Sequence, residues 1–234
     1  MAETLKRVVI SGASGALGAA VAHVFAASGA QVALIDRAPD SKDLVKALGG
    51  APHFFLSEVD LSDWAQAQRA MDTVASRFGK IDVLVNVAGT FRWETLADGK
   101  VDTWDLLYNV NLRTALCASK AALPHVPSGT GRIINIGAAA AAGKAGTGMG
   151  AYTASKAGVI KLTEALAEEL KDKSINVNSV LPSIIDTAAN RADMPSADYS
   201  RWVAPAALAE VILFLASDAA RAITGASIPV LGRV

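Results

Sequence analysis

The stretch RIINIGAAAAAGKAGTGMGAYTASK, residues 132–156, joins an apolar strand to a loop of small residues and then to the start of a helix. Tyr152 and Lys156 lie four positions apart, so a helix places their side chains on one face. Because a nearby ammonium favours an ionised phenol, this spacing predicts that Lys156 lowers the pKa of Tyr152 and prepares it for proton exchange. The same spacing also occurs by chance on amphipathic helices, so the rest of the chain has to decide between the two interpretations.

Length and composition limit the class of protein. A chain of 234 residues, 52% of them hydrophobic, can build one large core, and we expect a single domain over residues 1–234. The 22 basic and 22 acidic residues balance, which favours a small-molecule partner over nucleic acid or a membrane. A single cysteine, Cys117, and the absence of an apolar run of roughly 18 residues predict a cytoplasmic protein. The three histidines lack metal-ligand spacing, so no metal site is predicted.

Short runs rich in β-branched residues alternate with longer helical patterns along the chain, as in βαβ units around a parallel sheet. The predicted strands are 7–11, 31–35, 53–59, 81–87, 132–136, 175–181 and 226–231, and the predicted helices are 16–27, 41–48, 62–78, 103–123, 152–171 and 205–217. Right-handed crossovers place helices on both faces of such a sheet and ligands outside the carboxyl ends of the strands. The pattern therefore predicts a doubly wound, Rossmann-type α/β domain.

A turn of small residues, SGASGALG at positions 11–18, follows the first strand. Gly12, Gly15 and Gly18 permit a tight turn and let the backbone approach a pyrophosphate at the start of the helix. Asp36 ends the second strand, where a carboxylate can accept hydrogen bonds from an adenosine ribose. This predicts NAD(H) as the preferred cofactor, although the neighbouring Arg37 could bind the 2′-phosphate of NADP(H). Asp36 could also be an ordinary turn residue.

Further motifs follow in order. They are Asp60 after the third strand, Asn86-Val87-Ala88-Gly89 after the fourth, Asn111 in the next helix, the pair Tyr152 and Lys156, and Leu181-Pro182 with Thr187 after the sixth strand. Together these motifs resemble the short-chain dehydrogenase/reductase family over essentially the full length. The resemblance implies a seven-stranded sheet of order 3-2-1-4-5-6-7, hydride transfer to or from a nicotinamide, and a homo-oligomer, commonly a tetramer.

The resemblance also implies roles for individual residues. Tyr152 would be the acid/base, Lys156 would lower its pKa and hold the nicotinamide ribose, and Asn111 would order a water linking Lys156 to solvent. The residues implied for cofactor binding are Gly12, Ser14, Gly15, Ala16, Leu17, Gly18, Asp36, Arg37, Asp60, Leu61, Asn86, Ala88, Gly89, Tyr152, Lys156, Pro182, Ile185 and Thr187. A substrate lid is expected at residues 183–204.

The chain departs from the family pattern at the catalytic serine. The family's serine falls at Ala138 or Ala139, and every residue from Ala138 to Ala142 is alanine. Losing one such donor typically costs ~10²–10³ in rate. Smaller departures are Ala16 in place of the second motif glycine and Ser183 in place of the glycine after Pro182.

Together these departures resemble the quinonoid dihydropteridine reductase branch of the family, which shares GALG at 15–18, the missing serine, Gly146-Thr-Gly-Met149 and several residues within 181–202. We therefore expect hydride transfer to a carbonyl or a conjugated C=N bond. One alternative is a 3-oxoacyl or other ketoreductase with a replaced serine. Another is a non-catalytic protein that senses dinucleotides. The segment 181–202 also fits a plain surface lid whose Met194, Tyr199 and Trp202 pack on the body.

Overall fold

Seven parallel strands form the centre of the protein in the computed structural model, which describes residues 6–39 and 41–234 of the expected domain. The strands are β1 (Arg7–Ser11), β2 (Gln31–Ile35), β3 (Phe54–Leu56), β4 (Val83–Asn86), β5 (Arg132–Ile136), β6 (Asn176–Pro182) and β7 (Ser227–Val230). Their order in the sheet is β3-β2-β1-β4-β5-β6-β7, and all six pairings are parallel. The predicted doubly wound, Rossmann-type fold is therefore confirmed.

Helices connect the strands and cover both faces of the sheet. They are α1 (Ala16–Ala27), α2 (Lys42–Ala47), α3 (Trp64–Phe78), α4 (Val101–Leu107), α5 (Thr114–Ala122), α6 (Ala139–Ala142), α7 (Gly150–Leu170), α8 (Ala188–Asp193) and α9 (Pro205–Ala216). A π-helical turn, Tyr108–Arg113, joins α4 to α5, and 3₁₀ turns occur at Leu123–His125, Lys171–Lys173, Tyr199–Arg201 and Asp218–Ala220. Among the residues described, no helix combines the length and apolarity that crossing a membrane requires.

The sheet separates two cores, because successive side chains of a strand point to opposite faces. In β1, Val8 and Ile10 pack with residues of α1 and α9, whereas Val9 packs on the other face with residues of α3, α5 and α7. Phe25 of α1 and Met71 of α3 are fully buried. Burial of a side chain of this size contributes roughly 1.5–3 kcal/mol. The two cores fix the carboxyl ends of the central strands, where the candidate site lies.

Three predicted elements differ most from the structure, and the strand predicted at 81–87 is shortened to β4 (Val83–Asn86). Strand β3 is shorter than 53–59, and beyond it Glu58 adopts a left-handed backbone conformation (φ 56°) that cannot continue a strand. The predicted helix 103–123 begins at Val101 and is interrupted by the π-helical turn. The alanine run was predicted as loop, but Ala139–Ala142 form α6, as the high helix propensity of alanine allows.

Candidate active site

A cleft of about 250 Å³ opens at the carboxyl ends of β1, β2 and β4. The cleft is lined by Gly12, Gly15, Gly18, Ile35, Asp36, Arg37, Val59, Asp60, Leu61, Ser62, Val87, Ala88, Gly89, Val110 and Thr114. Nine of the residues predicted to bind a dinucleotide are among them: Gly12, Gly15, Gly18, Asp36, Arg37, Asp60, Leu61, Ala88 and Gly89. Ligands of open parallel sheets bind in a crevice at this position.

Glycines shape the cleft where β1 leads into α1. Gly12 has a φ of +66°, and a β-carbon there would lie 2.7 Å from the backbone of Ala88. A β-carbon at Gly18 would overlap the Gly12 carbonyl group and push α1 away from the turn. Ala16 is exposed, so its methyl group fits without a clash. The open turn at the start of a helix fits a pyrophosphate group.

Asp36 is held at the rim of the cleft by two backbone donors. Its carboxylate accepts hydrogen bonds from the N–H groups of Ser14, at 2.9 Å, and Ala38, at 3.0 Å. The first bond joins the end of β2 to the glycine turn. A carboxylate in this position can accept further hydrogen bonds from a ribose diol and repels a 2′-phosphate.

Asp60 is the second carboxylate of the cleft. It accepts hydrogen bonds from the Ser62 N–H, at 2.9 Å, and the Ser62 hydroxyl, at 2.7 Å. Burial alone would raise the pKa of Asp60, but the two Ser62 donors and the nearby Arg37 charge outweigh it and lower the pKa. The cleft therefore presents Asp60 as an anion with one oxygen already engaged.

Lys156 reaches the far end of the cleft from α7. Its side chain is buried, and Nζ donates a hydrogen bond of 2.7 Å to the Ile136 carbonyl oxygen at the end of β5. A β-carbon built on Gly89 would lie 3.2 Å from Lys156 Nζ and 3.1 Å from Asn111 Oδ1. A side chain at this position would be tight, so Gly89 lets Lys156 and Asn111 both approach the lining of the cleft.

Burial dominates the protonation of the predicted catalytic pair. It raises the pKa of Tyr152 to about 12 and lowers the pKa of Lys156 to about 8. The pKa of Tyr152 is therefore raised and not lowered as predicted, and the cause is the loss of hydration on burial. A phenol with this pKa is protonated at neutral pH, which is the form that a proton donor requires.

Asn111 is buried in the π-helical turn, and both the oxygen and the nitrogen of its side-chain amide form hydrogen bonds. Oδ1 accepts from the Thr90 N–H at 2.7 Å, while Nδ2 donates to the Thr90 carbonyl oxygen at 3.0 Å and to the Ser155 hydroxyl at 2.9 Å. Ser155 in turn donates to the Tyr152 carbonyl oxygen at 2.7 Å. Asn111 therefore connects the segment after β4 to the first turns of α7.

Other predicted cofactor residues lie away from the cleft lining. Asn86 is buried, and its Nδ2 donates to the Ser119 hydroxyl, at 3.0 Å, and to Asn135 Oδ1, at 2.8 Å. It ties β4 to α5 and β5 instead of facing a ligand. Leu17 is buried in the core on the α1 side of the sheet. Ser14 and Ala16 are exposed beside the turn.

The last three predicted cofactor residues lie in or next to the expected lid, residues 183–204. Pro182 ends β6, and Ile185 forms an isolated parallel bridge with Val203. Thr187 caps α8 by accepting a hydrogen bond of 3.2 Å from the Asn190 N–H. The structure does not bring these three side chains to the cleft lining.

Polar and aromatic side chains of the lid contact one another. Asp186 accepts two hydrogen bonds from Arg191, at 2.6 and 2.8 Å. The Arg191 guanidinium lies 4.7 Å from the centre of the Tyr199 ring, which lies 4.8 Å from the Trp202 ring. These contacts favour the interpretation of the segment as a surface lid.

Ala138 lies buried directly after β5, and α6 begins at the next residue. Neither Ala138 nor Ala139 can donate a hydrogen bond from its side chain. Sequence reasoning also missed two neighbours of Tyr152, namely Ser155 and Phe91. The Phe91 ring lies 4.9 Å from the Tyr152 ring at an interplanar angle of 83°. The sequence could have indicated Phe91, because two aromatic residues, Phe91 and Trp93, stand two positions apart shortly after the Asn86–Gly89 motif.

Comparisons with known proteins match most of the chain. The family model described as short chain dehydrogenase matches residues 6–197. Meso-2,3-butanediol dehydrogenase of Serratia marcescens is 35% identical over 236 residues, which cover 97% of this chain and 93% of the relative. The 3-oxoacyl-[acyl-carrier-protein] reductase FabG of Thermotoga maritima is 34% identical over 243 residues, which cover 97% of this chain and 96% of the relative.

Solved structures give the same result. A short chain dehydrogenase from Burkholderia cenocepacia in complex with NADP has a TM-score of 0.88 and 34% identity, covering 97% of this chain and 96% of that chain. Carveol dehydrogenase from Mycobacterium avium in complex with NAD has a TM-score of 0.85 and 29% identity, with the same coverage. Structures similar to this chain therefore bind either nicotinamide dinucleotide. None of the four proteins is named as a dihydropteridine reductase. The resemblance to that branch therefore stays a prediction.

Proposed function

Because the chain belongs to the short-chain dehydrogenase family, we propose that it interconverts an alcohol and a carbonyl compound with a nicotinamide dinucleotide. The observation that carries this proposal is the approach of Lys156 Nζ and Asn111 Oδ1 to Gly89, a residue of the cleft lining, with Lys156 one helical turn from Tyr152 on α7. The lining of the cleft has the residue types that hold a dinucleotide, and α7 carries Tyr152 one helical turn before Lys156.

Each of the three residues has a proposed part in the reaction. When bound, the nicotinamide supplies or takes up the hydride. Tyr152, whose pKa is about 12, donates its proton to the carbonyl oxygen during reduction and is then reprotonated through Lys156, and oxidation runs the same proton transfers in reverse. Lys156 holds the nicotinamide ribose and, with a pKa of about 8, passes protons onward near neutral pH. Asn111 keeps α7 in register with the segment after β4 and orders the water that links Lys156 to solvent.

We propose NAD(H) as the preferred cofactor and NADP(H) as the weaker one. The support is the Asp36 carboxylate, which its two backbone donors hold at the rim of the cleft. Its charge opposes a 2′-phosphate, while Arg37 in the same lining attracts one. Asp36 is therefore expected to set the direction of the preference and Arg37 to limit its size.

The alanines Ala138–Ala142 support a second candidate, reduction of a conjugated C=N or quinonoid substrate. A simple ketone develops charge on one oxygen and benefits from two convergent donors, whereas a conjugated acceptor spreads the charge. If Tyr152 is the main hydrogen-bond donor of the site, reduction of a conjugated acceptor therefore loses less rate than reduction of a simple ketone.

We also propose a cytoplasmic homo-oligomer, either a dimer or a tetramer. Trp104, Tyr108 and Leu116 are exposed along α4, the π-helical turn and α5, and such an apolar surface is typical of a subunit contact. Light scattering after size-exclusion chromatography tests this: a monomer at micromolar concentration would contradict it.

The function is tested by following NADH and NADPH consumption with 2,3-butanedione, an acetoacetyl thioester, cyclohexanone and quinonoid dihydropterin, and NAD⁺ reduction with 2,3-butanediol. We expect turnover with at least one alcohol or carbonyl compound. Turnover of dihydropterin alone would favour the second candidate. Tight binding of NADH without turnover of any of these compounds would contradict an enzymatic role and favour a dinucleotide sensor.

A further inference from the structure

Two large aromatic side chains are exposed near the start of α7, Phe91 against the Tyr152 ring and Trp93 against Gly148. Phe91 is 44% exposed and Trp93 is 58% exposed, and both follow closely after Gly89, the end of the nucleotide cleft. Exposed aromatic surface is unfavourable in water and becomes favourable when a ligand covers it. Where such side chains adjoin a predicted proton donor, they mark the surface that contacts the substrate.

Phe91 is fixed on the ring of the proposed proton donor. The two ring centres lie 4.9 Å apart with an interplanar angle of 83°, which is the edge-to-face geometry that aromatic pairs prefer. A substrate whose oxygen reaches the Tyr152 hydroxyl therefore binds next to Phe91.

Trp93 is fixed by the loop that precedes α7. Gly148 has a φ of +72°, and a β-carbon there would overlap the Trp93 indole. The Glu94 N–H donates a hydrogen bond of 2.9 Å to the Gly148 carbonyl oxygen, which holds the two segments together. Because the indole is already positioned, a ligand that packs on it loses less conformational freedom than it would against a mobile side chain.

The charged residues that alternate with these aromatics line a separate cavity. Arg92, Glu94 and Lys100 contribute to a cavity of about 260 Å³ on which Phe91 and Trp93 do not border. Arg92 Nη1 donates to the Phe91 carbonyl oxygen at 2.8 Å, and Glu94 Oε2 accepts from the Lys100 N–H at 3.1 Å. The segment that follows β5 begins with the alanines 138–142, and α6 packs against α7. Phe91, Trp93 and these alanines are apolar and carry no charge.

We propose that Phe91 and Trp93 form an aromatic wall that selects substrates with an uncharged ring next to the reacting carbonyl or hydroxyl group. The inference rests on the proposed function, since it names the substrate class of the same site. A ring packs against both aromatic side chains, whereas a short open-chain substrate leaves most of the wall exposed.

A matched pair of diketones tests the selection. The kcat/KM for 1-phenyl-1,2-propanedione should exceed that for 2,3-butanedione about tenfold in the wild type. Phe91→Ala and Trp93→Ala should each reduce this ratio at least about threefold, because the phenyl-bearing diketone loses more contact area than 2,3-butanedione does. Trp93→Phe should retain most of the ratio. Phe214→Ala, which removes a 48% exposed aromatic on α9, is the control and should leave the ratio unchanged.

A binding measurement separates this inference from the proposed function. Ligand-detected NMR measures the affinity of acetophenone in the presence of NAD⁺, which cannot reduce a ketone. The double variant Phe91→Ala/Trp93→Ala should bind acetophenone about tenfold more weakly than the wild type. If no compound is turned over but the double variant binds acetophenone more weakly than the wild type, the proposed function is wrong and the aromatic wall is supported. Equal kcat/KM for the two diketones in the wild type, with acetophenone affinity unchanged in the double variant, overturns the wall.

Discussion

The nucleotide cleft and the substrate side of the crevice meet at Gly89, and they use different parts of the chain. On the nucleotide side, glycines such as Gly12 shape the backbone, and backbone groups hold the carboxylate of Asp36. On the substrate side, side chains set the surface, among them the exposed ring of Phe91. Backbone geometry tolerates little change, whereas side chains can be exchanged. The first side therefore carries what the family shares, and the second carries what is particular to this chain.

The largest expected effect comes from removing the ammonium group of Lys156, which lies near Gly89 between the two sides. Lys156→Met should lower turnover of the best substrate by about 10²–10⁴-fold, because the variant loses both the ribose contact and the onward proton path. NADH affinity should fall as well. Steady-state kinetics and fluorescence titration with NADH measure the two losses. A variant with normal NADH affinity would contradict the placement of Lys156 at the end of the cleft.

The same variant should be more stable than the wild type at neutral pH. Burial lowers the pKa of Lys156 from 10.5 to about 8, so between these values the unfolded chain binds more protons and wild-type stability rises with pH. Lys156→Met removes the cost of burying the charge and should raise the free energy of unfolding by about 1–2 kcal/mol at pH 7. The gain should shrink as pH rises through 8 towards about 10. An equal effect at pH 7 and at about pH 9.5 would contradict a buried ammonium.

A smaller effect is expected from restoring a donor on the substrate side. Ala138→Ser should raise kcat/KM for a simple ketone about 10–10²-fold and for a quinonoid acceptor much less. Ala139→Ser tests the neighbouring position, and Ala142→Ser, at the exposed end of α6, is the matched control. If the wild type already reduces the ketone as well as the quinonoid acceptor, and Thr147→Val abolishes this activity, Thr147 is the second donor.

The fold and the nucleotide side could be predicted because their signals are local. Short apolar runs placed β1, β2 and β5 with correct bounds, and the spacing of the glycines placed the turn. The π-helical turn around Asn111 could not be predicted, since an inserted residue leaves no mark in a 3.6-residue pattern. The pKa of Tyr152 was predicted in the wrong direction because a four-residue spacing does not report burial. Only the folded chain places the Phe91 ring against Tyr152.

The smallest of these effects concerns cofactor choice on the nucleotide side. NADH should bind about tenfold more tightly than NADPH, a difference of ~1.4 kcal/mol. Asp36→Asn should reduce this ratio, because it removes the charge that repels the 2′-phosphate and keeps an acceptor for the Ser14 N–H. Asp43→Asn, an exposed change on α2, is the control. Equal dissociation constants in the wild type would indicate that Arg37 governs the site instead.

The central claim is that Tyr152 is the proton donor at the end of a dinucleotide cleft, and Tyr152→Phe tests it most directly. The variant keeps the ring that Phe91 contacts and removes only the hydroxyl. Turnover of the best carbonyl substrate should fall by about 10²–10⁴-fold, while the dissociation constant for NADH should stay within about twofold of the wild type. Turnover close to the wild-type value would contradict the claim.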